Sequence, residues 1–254
     1  MSNSQSSVRT AIVTGAGSGI GRAAAIALLE DGWNVALLGR REAPLKELAR
    51  RAEFAGTAQV EICDVSDPVA VASAFYNTVT RFGRLDFLFN NAGVGNPPGP
   101  FEDWTPEQWR SVLEVNVDGM FFCLQQAFRI MRSQNPMGGR IVNNGSISAS
   151  SPRPNSIAYT AAKHAVKGMT KSASLDGRKY DIAVGQIDVG NAQSALASRM
   201  AEGVPQANGA IAAEPLIDVA LVGRSVLHMA NLPLEANVLF HTIMATKMPF
   251  VGRG

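Results

Sequence analysis

Cysteine, histidine, charge and long apolar runs are all scarce in this 254-residue chain. Its two cysteines, Cys63 and Cys123, stand far apart and share no paired spacing. They exclude a disulfide framework and a zinc motif, fit a reducing compartment and read as core thiols. The three histidines, His164, His228 and His241, are scattered and match no metal spacing. Charged residues make up 17%, with a balance of 23 − 21 = +2. That balance excludes a nucleic-acid binder working through a basic face, and 46% hydrophobic content excludes a disordered chain. No stretch approaches the ~20 apolar residues of a membrane span. The apolar run after Arg9 breaks at Thr14-Gly15, too short for a signal-peptide core. The expectation is a cytoplasmic protein with no membrane partner. The glycines, 24 of them, show no period of three, which excludes collagen. Charge is low against the ~25% usual in soluble domains, so part of the surface is expected to be hidden.

What is present is an alternation of short apolar runs and helical stretches. Strands are expected at Thr10–Thr14, Asn34–Leu38, Gln59–Cys63, Leu85–Phe89, Arg140–Asn143, Ile182–Ile187 and Asn237–His241. Helices are expected over Gly21–Asp31, Glu42–Glu53, Asp67–Arg81, Ser156–Lys179 and Pro215–Met229. One more begins at Thr105-Pro106-Glu107-Gln108, a capping-box pattern, and is expected to run unbroken to about Ser133. Asp67 followed by Pro68 gives another helix start. Such alternation predicts an α/β fold, a Rossmann-type doubly wound parallel sheet with helices on both faces. No linker divides the chain. Residues 1–8 are expected to form a flexible N-terminus and residues 9–254 a single domain, with a substrate loop near 190–213 and an interface tail near 243–254.

The turn Thr14-Gly15-Ala16-Gly17-Ser18-Gly19-Ile20-Gly21 falls between the first strand and the first helix. In a doubly wound sheet a dinucleotide pyrophosphate binds there, because glycines admit close backbone approach and the helix N-terminus attracts anions. A glycine-rich turn without a ligand is the plainer alternative. The second strand ends Leu38-Gly39-Arg40-Arg41 with no carboxylate before Glu42. An acid there would hold a ribose 2′-hydroxyl. Arg40 and Arg41 instead suit a 2′-phosphate and favour NADP(H) over NAD, unless they are simply solvated. Asp64, followed by Val65, is either an adenine contact or a capping residue. Asn90-Asn91-Ala92-Gly93 follows the fourth strand with side chains small enough to pass close to a cofactor.

Tyr159 and Lys163 sit at i and i+4 on one predicted helix face. A tyrosine has a free pKa of about 10, and a neighbouring lysine favours the phenolate. Such a pair can exchange a proton with a carbonyl or alcohol oxygen. Ser146 lies just past the fifth strand, where a hydroxyl can hold the substrate oxygen. Asn116, inside an apolar helical stretch, is either a satisfied core amide or part of a proton relay. Arg153, between Pro152 and Pro154, reads as a solvated loop arginine. Phe101, Trp104 and Trp109 either shape a pocket or pack the core.

Taken in order, Thr14–Gly21, Asp64, Asn90–Gly93, Asn116, Ser146 and Tyr159/Lys163 resemble the short-chain dehydrogenase/reductase family from Arg9 to the last strand. The resemblance implies a nicotinamide cofactor and hydride transfer between a carbonyl and an alcohol. It implies Tyr159 as acid/base, Lys163 as ribose ligand and tuner of the tyrosine, Ser146 as holder of the carbonyl, and Asn116 as support for a water relay. It places Gly15, Ser18, Gly19, Ile20, Arg40, Arg41, Asp64, Val65, Asn91, Ala92, Gly93 and Val189 around the cofactor. It also implies a homotetramer or homodimer, with Val117–Leu124 and Met248–Val251 as the places to look for interfaces. Two departures stand out. Val189 replaces the family's proline after the sixth strand, and Ser194 stands where threonine is common. The function expected is NADP(H)-dependent interconversion of a small-molecule carbonyl and alcohol. The alternatives are a cofactor-binding protein without turnover, an NAD-dependent dehydrogenase of a hydroxy acid or sugar, and a nucleotide-sugar epimerase or dehydratase.

Overall fold

The computed structural model describes residues 8–51, 53–194, 200 and 202–251. Strands β1 (Thr10–Thr14), β2 (Asn34–Gly39), β3 (Ala58–Ile62), β4 (Phe87–Asn90), β5 (Gly139–Asn144), β6 (Ile182–Val189) and β9 (Phe240–Ile243) form one sheet in the order β3-β2-β1-β4-β5-β6-β9. Every pair is parallel. Short strands β7 (Val204–Pro205) and β8 (Ile211–Ala212) pair antiparallel apart from it.

Helices α1 (Gly19–Glu30), α2 (Glu42–Ala49), α3 (Pro68–Phe82), α4 (Pro106–Leu113), α5 (Met120–Ser133), α6 (Ile157–Gly177) and α7 (Val219–Asn231) cover both faces. Side chains alternate along each strand and feed two cores. Ala11, Val13, Val35, Leu37, Phe87 and Phe89 pack with Leu28 of α1 and Val222 and Val226 of α7. Ile12, Ala36, Leu38 and Leu88 pack with Phe75 of α3 and Cys123 and Met131 of α5. Burial on both faces is why the strands read as unbroken apolar runs. Truncating Phe89, which has no exposed surface, to alanine would cost ~3–5 kcal/mol.

Local signals account for several boundaries. Asp67 caps α3 by accepting from the Val69 and Ala70 amides. Thr105 and Gln108 form the reciprocal capping box of α4. Other boundaries differ from expectation. The helix expected from Thr105 to Ser133 is interrupted at Glu114–Gly119 by a π turn. The last helix starts at Val219, because Asp218 rather than Pro215 supplies the cap by accepting from the Ala220 amide. The last strand runs Phe240–Ile243, three residues beyond the expected start, in register with Gln186–Val189.

The expected flexible residues 1–7, part of the substrate loop including Arg199, and the final three residues lie outside the described chain. Within the expected interface tail, Met248 is buried and lies close to Gly190 of its own chain, while Val251 is exposed.

Candidate active site

β1 lies between β2 and β4, so the chain's crossovers leave in opposite directions on either side of it. That switch point opens a crevice at the carboxyl ends of the strands. A cleft of about 510 Å³ occupies it. Its walls include Gly15, Ser18, Gly19, Ile20, Arg40, Arg41, Asp64, Val65, Asn91, Ala92, Gly93, Tyr159 and Lys163. One expected member is missing. Val189 lies in the apolar core and does not reach the cleft. Its side chain sits on an inward position of β6, with the strand's burial unbroken to its end. In its place Ser194 approaches the glycine turn, 3.1 Å from where a Gly19 Cβ would stand.

The glycine turn is shaped as a cradle. A Cβ on Gly21 would fall 2.3 Å from the Gly15 carbonyl oxygen, so only glycine lets α1 start this close to β1. Ser18 caps α1 without any side-chain hydrogen bond, and no acid sits in the first turn. The helix's positive end therefore faces the cleft uncompensated by a side chain, which fits a pyrophosphate. At the far end of β2, Arg40 and Arg41 line the cleft. The Arg40 guanidinium lies 3.8 Å from the Asp64 carboxylate. Asp64 also accepts from the Ser66 amide at 3.0 Å and hydroxyl at 2.7 Å. Partial burial pushes the Asp64 carboxyl up, but the Ser66 hydrogen bonds and the Arg40 charge outweigh it, and its pKa is lowered.

A chain of hydrogen bonds ties the glycine turn to the lysine. The Thr14 hydroxyl accepts from the Asn91 and Ala92 amides. Asn91 Nδ2 donates to the Thr14 carbonyl, and Asn91 Oδ1 accepts from Asn144 Nδ2. The Asn144 carbonyl accepts from Lys163 Nζ at 2.6 Å. Asn144 Oδ1 is buried at the cleft wall with no partner among the described residues, an acceptor available to a bound group. Glycine cradle, uncompensated helix end and orphaned acceptor together fit a dinucleotide.

Ser146, Tyr159 and Lys163 converge beside it. Ser146 lies close enough to the Tyr159 hydroxyl to lower its pKa, and its amide donates to Asp188 Oδ1 at 2.9 Å. Lys163 Nζ stands 5.4 Å from the Tyr159 ring centre. Burial raises the Tyr159 pKa, against the lowering by the Ser146 hydrogen bond and the Arg153 charge. Burial pulls the Lys163 ammonium down to about 8, with Asp188 opposing.

Asn116 lies in the π turn with no exposed surface. Its Oδ1 accepts from the Val94 amide and its Nδ2 donates to the Val94 carbonyl, both at 2.8 Å. The side chain thus braces the loop after β4, in keeping with the satisfied-amide reading. The expectation for Arg153 is overturned. It is mostly buried, paired with Glu214 and donating to Asn191 Oδ1 at 2.9 Å. Its partners are distant in sequence, so local composition gave no sign of them.

Asn144 and Asp188, which carry much of this geometry, were not singled out from the sequence. The signal for Asp188 was a carboxylate inside a mostly apolar strand. Phe101, Trp104 and Trp109 line a separate cleft of about 220 Å³ with Ile157. Among the described residues no cluster of His, Cys, Asp or Glu is arranged to hold a metal, and no helix is long and apolar enough to cross a membrane.

A family model described as short chain dehydrogenase matches residues 9–204. A 3beta-hydroxysteroid dehydrogenase from Mediterraneibacter gnavus is 33% identical over 204 residues, which span 80% of this chain and 73% of the relative. A crystal structure of acetoin dehydrogenase YohF from Salmonella typhimurium superposes with a TM-score of 0.79 at 31% identity, covering 93% of this chain and 95% of that one. A 3-ketoacyl-(acyl-carrier-protein) reductase from Brucella melitensis, solved with NADH, gives a TM-score of 0.82 at 24% identity, covering 94% of this chain and 98% of that one. That last likeness is one of fold.

Proposed function

Because this chain belongs to the short chain dehydrogenase family, we propose that it is an NADP(H)-dependent oxidoreductase interconverting a ketone or aldehyde and the corresponding alcohol. The observation that carries the reading is that Tyr159 and Lys163 line one end of the glycine-turn cleft, with Ser146 next to Tyr159. Relatives named for a hydroxysteroid and for acetoin support an alcohol–ketone pair as the substrate class. Arg40 and Arg41, with no carboxylate at the end of β2, support a 2′-phosphate on the cofactor.

A bound nicotinamide supplies or accepts the hydride. The remaining work falls to the protein. In reduction the Tyr159 phenol donates its proton to the carbonyl oxygen, and burial, by raising its pKa, keeps that proton in place at neutral pH. The Ser146 hydroxyl holds the same oxygen by hydrogen bond. Lys163, anchored on the Asn144 carbonyl, presents its ammonium beside the tyrosine and to the cofactor ribose. In oxidation the same phenol must first lose its proton and then take the alcohol's. Asn116 supports the site by fixing the loop that follows β4. The Arg153–Glu214 pair ties the loop after Ser146 to the chain that leads into the last helix. Residues 9–254 act as one domain, and exposed Phe121 on α5 and Leu175 on α6 support a homodimer or homotetramer.

The test is consumption of NADPH with a panel of ketones and aldehydes. Wild-type protein should turn over at least one of them, and Tyr159→Phe should turn over none at a comparable rate. Tyr159→Phe activity equal to wild type would remove the assigned role.

A further inference from the structure

The polar side chains buried beneath the catalytic group are joined in a line across three strands. Asn90 Nδ2, on β4, donates to Asn143 Oδ1 on β5 at 3.3 Å. Asn143 Nδ2 donates to the Thr170 hydroxyl of α6 at 3.0 Å. That hydroxyl lies 2.9 Å from Gln186 Oε1 on β6. Gln186 Nε2 donates to Asp188 Oδ1 at 2.7 Å, and the same oxygen accepts the Ser146 amide at 2.9 Å. All five side chains are buried. Buried polar groups of this kind are costly unless satisfied, and a satisfied line of them is rigid.

Toward the candidate site the line ends on the Ser146 amide. Its terminal oxygen has room only because residue 145 is glycine. A Cβ there would stand 2.1 Å from Asp188 Oδ1 and 2.4 Å from Gln186 Nε2. A carboxylate buried in a strand, with the residue just past the end of the adjoining strand stripped of a side chain to receive it, is not explained by packing alone.

We propose that Asp188 is a positioning residue that fixes Ser146 by holding its backbone amide, with Gln186, Thr170 and Asn143 holding Asp188 in turn. The proposal rests on the role assigned to Ser146 above. Asp188 touches neither substrate nor cofactor; it acts by setting where the Ser146 hydroxyl points. Burial raises its pKa, with the Gln186 and Ser146 hydrogen bonds and the Lys167 and Lys163 charges opposing. Oδ1 accepts from the Ser146 amide whether or not the carboxyl is protonated, so the role is one of geometry. Asparagine, which offers the same acceptor without charge, should therefore substitute for it.

The experiment is a double-mutant cycle on ketone reduction with NADPH. Asp188→Ala should lower kcat by about 10–100-fold, the scale of loss from misplacing a reacting group, with the Kd for NADPH unchanged. Asp188→Asn should recover kcat to within about 5-fold of wild type, as expected when the acceptor oxygen survives. In a Ser146→Ala background, Asp188→Ala should cost less than about 3-fold more, because its effect passes through the missing hydroxyl. Should Asp188→Ala fold poorly, Gly145→Ala, whose methyl would stand 2.1 Å from Oδ1, should give the kcat loss in its place. Equal losses in both backgrounds, or NADPH affinity falling in step with kcat, would overturn the proposal. So would a wild-type kcat in Asp188→Ala. Amide hydrogen exchange separates this claim from the functional reading. The Ser146 amide should lose protection in Asp188→Ala and keep it in Asp188→Asn. Should no ketone or alcohol turn over, the functional reading fails by itself, and unchanged Ser146 exchange in Asp188→Ala would still sink the positioning claim.

Discussion

The strands on the two sides of the switch point are built of different material. β1 and β2 are apolar inside but for Thr10, Thr14 and Asn34, and the glycine turn that follows β1 presents backbone and missing side chains to the cleft, with Arg40 and Arg41 at its rim. β5 and β6, equally buried, carry Arg140, Asn143, Asn144, Gln186 and Asp188 within the same kind of core. In the proposed function the first half would bind by shape and helix dipole, with Arg40 and Arg41 adding charge at its rim. For the proposed chemistry the second half would have to hold a hydroxyl, a phenol and an ammonium in fixed relation, which takes oriented, hydrogen-bonded polar side chains. Within β5 the polarity divides again. At the strand's start Arg140 donates to the carbonyls of Leu232, Pro233 and Ala236 and stabilises the fold. At its end Asn144 and the following Ser146 face the chemistry.

Several changes would break or sharpen that division. The largest effect is expected from Tyr159→Phe, which should reduce turnover by about 10²–10⁴-fold, measured as steady-state NADPH oxidation, while leaving the melting temperature near that of wild type. Arg140→Met should do the opposite. It leaves three carbonyls without their donor and should destabilise by roughly 3 kcal/mol in urea unfolding, with kcat of the folded protein unchanged. A large kcat loss there would erase the distinction between the two ends of β5. Arg40→Asp should shift the preference for NADPH over NADH by about 10–100-fold, the worth of a charged hydrogen bond. An unaltered ratio of the two kcat/KM values would remove the basis for NADP.

The smallest effect concerns Asp188 and pH. Its folded carboxyl holds a proton more tightly than the unfolded one, so the folded state loses stability as pH rises from the ordinary carboxylate range through the raised pKa. Asp188→Asn removes that loss. Its melting temperature relative to wild type should climb with pH over this window, and a flat difference would argue against the raised pKa.

How much of this was legible beforehand follows the same division. The cofactor side was readable because its signals are local. Glycines at fixed offsets, an Ala-rich helix and a strand ending in Arg40-Arg41 all lie within one stretch of chain, and the residues it pointed to line one cleft. Val189 was the exception, since its placement depends on which way β6 is turned. Ser146, Tyr159 and Lys163 were legible through their order and spacing, and the capping box at Thr105 through its pattern. The polar line from Asn90 to Asp188 was not legible, because its members come from four elements and no local rule pairs them. Arg153 was misread for the same reason. Its partners Glu214 and Asn191 arrive only when the chain folds. The π turn around Asn116 was invisible to a periodicity argument that assumes one helical repeat throughout.

The most direct measurement is an NADPH titration of Tyr159→Phe by cofactor fluorescence, set beside its turnover. If binding resides in the glycine-turn half and chemistry in the other, the Kd should stay within about 3-fold of wild type, a difference below about 0.7 kcal/mol, while ketone reduction is lost. A Kd that weakens in proportion to the lost turnover would contradict the account.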